Sequence, residues 1–91
     1  MQSTINTINT IKEILATIKR DPEIKMTIGN QADLISEVGL DSLELLQFML
    51  EVEEQMGIQI DFELLEFSYL NDIEKLAAFL EKMPLRGLPS Q

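Results

Sequence analysis

The chain has 91 residues, enough for one small domain, and its hydrophobic fraction of 45% is too high for a disordered protein. The absence of cysteine and histidine excludes disulfides, zinc sites built on these residues, Cys or His nucleophiles and any His-dependent triad. The formal net charge of −9 lies mainly in residues 31–83, where thirteen acids face only Lys75 and Lys82, so we expect no binding to nucleic acid or anionic membranes.

The first predicted helix occupies the beginning of the chain. Ser3 or Thr4 can cap its start, and Asp21–Pro22 ends it. Its apolar residues recur every three or four positions and are expected to face the core: Ile5, Ile8, Ile11, Leu15 and Ile18. This spacing is typical of one stripe of an amphipathic helix.

A long connection, residues 22–40, separates this helix from the next. Pro22, Gly29, Asn30 and Gly39 interrupt the helical period there. The apolar residues of the connection still recur, and we expect them to lie against the core: Leu34, Ile35, Val38 and Leu40. The second helix then begins at Asp41 or Ser42 and runs to about Met56, where Gly57 provides a C-terminal stop.

Two short segments and a final helix complete the domain. Residues 58–62 ("IQIDF") alternate like a strand, but a single strand has no partner here, so we predict an extended connector that buries Ile58 and Ile60. Residues 63–67 ("ELLEF") are predicted to form a short helical turn. The last helix opens at Asn71 with Glu74 as a capping-box partner, and its buried stripe is Ile73, Leu76, Ala77, Leu80 and Met83. The sequence therefore predicts an all-α domain over residues 1–83 and a flexible C-terminal tail over residues 84–91.

The second helix carries two groups of apolar residues. At about 100° per residue, one arc contains Leu45, Phe48, Met49, Val52 and Met56, which we expect to form the core face. Leu43, Leu46 and Leu50 fall on a separate arc. Either this second group packs beneath the 22–40 connection or it forms a surface patch. The flanking residues Gln47, Glu51, Glu53 and Glu54 favour the surface patch, because unpaired buried carboxylates are costly.

Ser42 is the candidate functional residue. A serine at a helix start is most often an N-cap, and Asp41 is a second candidate for that cap. Ser42 has no histidine or nearby lysine to activate it as a nucleophile, which argues against hydrolase chemistry. A helix N-terminus nevertheless presents unpaired N–H groups and a positive dipole end, which favour a phosphate ester on Ser42.

The chain resembles the acyl and peptidyl carrier protein family, most clearly in residues 33–60, "DLISEVGLDSLELLQFMLEVEEQMGIQI". The matching motifs are Asp33–Leu34, Gly39–Leu40–Asp41–Ser42–Leu43, the acidic helix that follows, and Ile58–Gln59–Ile60. The final "DIEKLAAFLEK" is also similar to the last helix of the family, so the resemblance covers residues from about 4 to 83.

The resemblance implies a four-helix bundle of the acyl-carrier type, with a long first loop and a short third helix. It implies that a separate phosphopantetheinyl transferase moves 4′-phosphopantetheine from coenzyme A to Ser42, with Asp41 helping that enzyme to organise metal and substrate. The chain would then be a monomeric, non-catalytic carrier of acyl, polyketide or aminoacyl thioesters, with no metal ligands. Its other partners would be an acyl- or aminoacyl-loading enzyme and downstream synthases or tailoring enzymes. The positions that match the partner contacts of the family are Leu43, Glu44, Leu46, Gln47, Leu50, Glu51 and Glu54.

Two departures from the housekeeping fatty-acid carriers bear on the pathway. Those carriers usually place an acid where Gln47 stands, and their first helix is more charged than this one. Both features favour a dedicated carrier in a specialised polyketide, nonribosomal-peptide or modified-fatty-acid pathway. An alternative hypothesis is an acidic helical adaptor that binds partners through the leucine patch, with Ser42 only a helix cap.

Location is predicted from the start and the hydropathy of the chain. The first ten residues ("MQSTINTINT") have neither the basic start nor the apolar core of a signal peptide. No apolar run approaches the roughly 20 residues that span a bilayer. We therefore expect a soluble cytoplasmic protein with no membrane partner.

Overall fold

The computed structural model of the chain describes residues 4–85. In chain order the helices are α1 (Thr4–Lys19), α2 (Ile24–Thr27), α3 (Ser42–Met56), a 3₁₀ helix (Phe67–Asn71) and α4 (Ile73–Glu81). Over these residues there is no strand, and the one β-type pairing is an isolated bridge between Ile58 and Leu85. This confirms the predicted all-α bundle with a long first loop and a short third helix. The single turn α2, within that loop, is an addition that the sequence did not indicate.

α1 is the central packing helix of the bundle, in contact with α2, α3 and α4. Ile8, Ile11 and Leu15 are buried as predicted, and Ile14 joins them, because a helix with neighbours on several sides buries a wider arc than one stripe. Ile5 does not belong to the core: it lies in the first turn and is 63% exposed. Ile18 is half-buried against the core.

α3 is the helix on which the sequence placed two apolar groups, and its first group faces the core. Phe48, Met49 and Val52 are buried, and Leu45 and Met56 pack against them at the margin. Gly57 ends the helix with φ 66° and ψ 37°, a left-handed conformation that glycine adopts without steric cost. The helix therefore has the predicted bounds and the predicted core face.

The segment between α3 and α4 differs from the sequence prediction. The helical turn expected over residues 63–67 is replaced by a tight turn, in which the Asp61 carboxylate accepts the backbone N–H of Glu63 at 3.0 Å. The helical residues come later, in the 3₁₀ helix that ends at Asn71. Asn71 therefore cannot cap α4, and Asp72 does so instead, accepting the backbone N–H of Glu74 at 2.8 Å.

The connector after α3 is extended and buries Ile58 and Ile60, as predicted. It also has a partner that the sequence did not indicate: Ile58 bridges Leu85, and the Gln59 N–H donates to the Pro84 carbonyl at 2.8 Å. The first two residues of the expected tail thus lie against the connector, and residues 86–91 fall outside the described part of the chain. Over residues 4–85, no helix is both long enough and apolar enough to cross a membrane.

Candidate functional site

The turn that leads into α3 presents Ser42. Gly39 has φ 84°, a conformation that favours glycine, and Leu40 is buried and donates its N–H to the Leu34 carbonyl at 3.1 Å. Leu34 is itself fully buried and donates its N–H to the Leu70 carbonyl at 2.9 Å. The Gly–Leu pair therefore anchors the turn to the core immediately before the chain emerges at Asp41.

Asp41, and not Ser42, is the N-cap of α3. Its carboxylate accepts the backbone N–H of Glu44 at 2.8 Å, and the Glu44 carboxylate accepts the backbone N–H of Asp41 at 3.2 Å. This reciprocal pair is a capping box, for which the sequence signal was an acid three residues after Asp41. The structure therefore contradicts the part of the adaptor hypothesis that makes Ser42 the helix cap.

Ser42 is the first residue of α3 and its side chain is exposed. Within residues 4–85, its hydroxyl makes no hydrogen bond, and the backbone N–H groups of Ser42 and Leu43 have no acceptor. Such free N–H groups at a helix start, together with the helix dipole, favour a negatively charged substituent. The position is chemically suited to a phosphate ester on the serine oxygen.

Lys19 and Glu44 are site residues whose mutual contact the sequence did not reveal. Lys19, in the last turn of α1, forms an ion pair with Glu44 at 3.1 Å and donates to the Gly39 carbonyl at 3.2 Å. Glu44, predicted as a partner contact, thus has two intramolecular roles, in the capping box and in this ion pair. No local sequence signal could have indicated this, because the two residues are 25 positions apart.

Asp33, the upstream acid of the predicted motif, orders the loop before the turn. Its carboxylate accepts the backbone N–H groups of Ser36 at 2.9 Å and Ile35 at 2.8 Å. The hydrogen bond from Ser36, and to a lesser extent the one from Ile35, stabilises the ionised carboxylate and holds the pKa of Asp33 below its ordinary value. The motif acid therefore has a structural role in shaping the first loop.

The second apolar group of α3 lies on the surface. Leu43 is 65% exposed, Leu46 52% and Leu50 53%, so these leucines do not pack beneath the 22–40 connection. We call these three residues the leucine face. Gln47, Glu51 and Glu54 are also exposed and lie on the same helix. Leu50 further contributes, with Gln47 and Glu51, to an open groove of about 410 Å³ between α3 and α1.

Glu53 is the exception among the acids expected to flank the leucine face. It is only 7% exposed, and its carboxylate accepts the backbone N–H of Ile60 at 2.8 Å and the Gln59 side-chain amide at 3.4 Å. These hydrogen bonds compensate its burial and fasten the connector to α3. Glu53 therefore belongs to the scaffold and not to the surface patch.

The acids of the turn are engaged in contacts within the chain. Over residues 4–85, no three acidic side chains come together as a metal-binding group. Asp41 is engaged in capping, and the other acid of the turn, Glu44, is paired with Lys19. The Ser42 hydroxyl is accessible, the turn that carries it is held by the capping box, and the exposed leucine face lies on the same helix.

Comparisons with known proteins identify the family of the chain. Residues 9–80 match the family model described as "Phosphopantetheine attachment site". A Ureaplasma parvum serovar 3 protein named "Acyl carrier protein homolog" is 28% identical over 64 residues, which are 69% of this chain and 83% of that protein. No solved structure matches the chain significantly. Since the family match spans most of the chain, this protein belongs to the acyl and peptidyl carrier protein family, whose cofactor is covalently attached 4′-phosphopantetheine.

Proposed function

We propose that the chain is a discrete, non-catalytic carrier that holds acyl, polyketide or aminoacyl intermediates as thioesters on a 4′-phosphopantetheine arm attached to Ser42. The observation that carries this proposal is the state of the Ser42 hydroxyl. It is exposed and makes no hydrogen bond within residues 4–85, because Asp41 provides the cap of α3. A hydroxyl without a structural task is accessible to another enzyme.

The residues present fit the group. Ser42 would hold its phosphate, and the N-terminus of α3 favours the negative charge there. The bound arm supplies a thiol for thioester chemistry, which the chain lacks because it contains no cysteine. The chain itself provides a fixed attachment point, since the capping box and the buried Leu40 hold the turn in place.

A mass measurement tests the attachment. The chain is incubated with coenzyme A and a broad-specificity phosphopantetheinyl transferase, and the intact protein is weighed by mass spectrometry. We expect a gain of one phosphopantetheine group on the wild type and on Ser68→Ala, and no gain on Ser42→Ala. Ser68 is the matched control because it is an exposed serine in the first turn of the 3₁₀ helix. No gain on the wild type, or an equal gain on Ser42→Ala, would refute the proposal.

The leucine face is proposed as the docking surface for the transferase, an acyl- or aminoacyl-loading enzyme and downstream synthases or tailoring enzymes. Exposed leucines near acidic side chains suit transient association, because charge speeds the encounter and a small apolar centre holds the complex. Gln47, Glu51 and Glu54 would contribute from the same helix. Asp41 is proposed to take part in recognition by the transferase in addition to its capping role.

The pathway and the cellular location remain predictions from the sequence. Gln47, which stands where housekeeping fatty-acid carriers usually have an acid, supports a specialised polyketide, nonribosomal-peptide or modified-fatty-acid pathway. We further propose that the carrier works as a monomer in the cytoplasm. The mass of the species attached to Ser42, measured on protein purified from its native host, would identify the cargo.

The adaptor hypothesis is a second candidate, because an exposed leucine face would serve an adaptor equally well. The two functions differ in their dependence on Ser42. Ser42→Ala would abolish a carrier but leave an adaptor active. Capture of the same partners by the wild type and by Ser42→Ala, with no mass gain on either protein, would favour the adaptor.

A further inference from the structure

Lys19 joins the end of α1 to the turn that carries Ser42. Its Nζ lies 3.2 Å from the Gly39 carbonyl oxygen and 3.1 and 3.4 Å from the two carboxylate oxygens of Glu44. An ammonium group has three N–H donors, so one side chain can serve all three acceptors at once. The side chains of Lys19 and Glu44 are 27% and 25% exposed, so solvent screens this pair less than a fully exposed one.

Glu44 connects this ion pair to the residue beside Ser42. The carboxylate oxygen of Glu44 that lies nearest to Lys19 also accepts the Asp41 backbone N–H at 3.2 Å, and the Asp41 carboxylate accepts the Glu44 backbone N–H at 2.8 Å. Lys19 therefore contacts the chain on both sides of Ser42, at Gly39 before it and at Glu44 after it. We call this set of contacts the Lys19 clamp.

We propose that Lys19 is a positioning residue for the modification of Ser42, holding the 39–44 turn in the geometry that a phosphopantetheinyl transferase recognises. The inference rests on the proposed function of Ser42. When only a fraction of molecules has the binding-competent geometry, the apparent affinity falls by that fraction. Loss of the Lys19 clamp should therefore raise KM for the carrier and leave kcat nearly unchanged, because the serine oxygen itself is unaltered.

The chain offers a matched control for this test. Lys12 is also on α1, and its Nζ donates to the side-chain oxygen of Asn30 in the first loop at 2.8 Å. Lys12→Met thus removes the same charge and a similar helix-to-loop hydrogen bond without touching the Ser42 turn. Lys19→Met removes the clamp, and Lys19→Arg keeps a cation that can still pair with Glu44.

The first measurement is the steady-state modification kinetics of the full chain with coenzyme A and transferase. We expect Lys19→Met to raise KM about twofold to fivefold, given the modest strength of a partly exposed ion pair. Lys19→Arg should have a KM close to that of the wild type, and Lys12→Met should have the same KM as the wild type. In a double-mutant cycle, Lys19→Met and Glu44→Gln should be non-additive, because Lys19 acts through Glu44 while glutamine keeps the capping-box acceptor.

The second measurement needs no transferase. Backbone amide exchange at Asp41 and Glu44 should be faster in Lys19→Met than in Lys12→Met, with global stability compared by urea denaturation. Normal modification of the wild type together with equal KM values for Lys19→Met and Lys12→Met would overturn the positioning role alone. If the wild type itself gains no mass, the proposed function fails and the positioning role fails with it, although the exchange rates still report whether the clamp exists.

Discussion

Asp41 and Ser42 are neighbours with separate tasks in the turn before α3. The Asp41 carboxylate accepts the Glu44 N–H as the helix cap, whereas the Ser42 hydroxyl has no hydrogen-bond partner among residues 4–85. Serine at the cap position would have its oxygen occupied by a backbone N–H. Because the cap lies one residue earlier, at Asp41, the serine oxygen is not occupied by a backbone N–H.

This division of tasks predicts different effects on stability. Asp41→Ala should lower the free energy of unfolding by about 1 kcal/mol, because the Glu44 N–H loses its acceptor. Ser42→Ala should change it by less than about 0.5 kcal/mol, as expected for a surface substitution away from a cap. Urea denaturation followed by circular dichroism measures both, with Asp41→Asn as the control that keeps a capping oxygen. Equal losses for Asp41→Ala and Ser42→Ala would show that the serine caps the helix after all.

α3 has one buried face and one exposed face. Phe48, Met49 and Val52 on one side fill the core, while the leucine face remains largely exposed. Glu53 at the far end is buried and holds the connector through the Ile60 N–H. The helix is thus fixed from within and at its C-terminal end, while the leucine face is left exposed.

Substitution of one leucine of the leucine face and of one core leucine in α4 separates docking from folding. Leu46→Ala should change the free energy of unfolding by less than about 1 kcal/mol, because Leu46 is half exposed and alanine favours the helix. Leu76→Ala, which truncates a fully buried leucine of α4, should cost about 2–5 kcal/mol. Leu46→Ala should nevertheless raise KM for the transferase, measured by the modification assay. A stability loss at Leu46 as large as that at Leu76 would show that the leucine face is part of the core.

Charge is distributed unevenly over the whole molecule. The net charge is −9, yet the cations of the first 30 residues include Lys12 and Lys19, which contact the first loop and the Ser42 turn. Most of the excess acid lies in the later part of the chain, which contains α3 and α4. Such a field attracts basic protein surfaces over a distance of about 10 Å at 0.1 M salt.

Salt should therefore weaken association without lowering stability. Raising the ionic strength from about 0.05 M to about 0.5 M should lower kcat/KM for the transferase by screening the attraction. The free energy of unfolding should not fall over this range, because salt also screens repulsion among the acids. Modification rates and urea denaturation at the two salt concentrations measure these effects. A kcat/KM that does not change with salt would show that the acidic surface does not steer this partner.

The sequence alone predicted the main elements and the candidate serine. The apolar spacing located α1, α3 and α4, Gly57 marked the end of α3, and the motif around Ser42 indicated the family. These features are local: the helical period, glycine in a left-handed conformation, and a short motif all depend on residues close together in the chain. The separation of core and surface leucines on α3 followed from the same period.

Only the tertiary structure decided which neighbours those elements would have. It buried Glu53 against the connector, paired Ile58 with Leu85, and brought Lys19 to Glu44 across 25 residues of sequence. It also placed the short helix between α3 and α4 at Phe67–Asn71, later than the predicted residues 63–67. The carbonyl of the buried Leu70 there accepts a hydrogen bond from the Leu34 N–H in the first loop. Most of these contacts join segments far apart in the chain, and neither periodicity nor a local motif specifies any of the pairings. The sequence by itself therefore determined that an acidic helix begins at Asp41 or Ser42, and the packing of α1 near the first loop decided that Lys19 contacts the turn that carries Ser42.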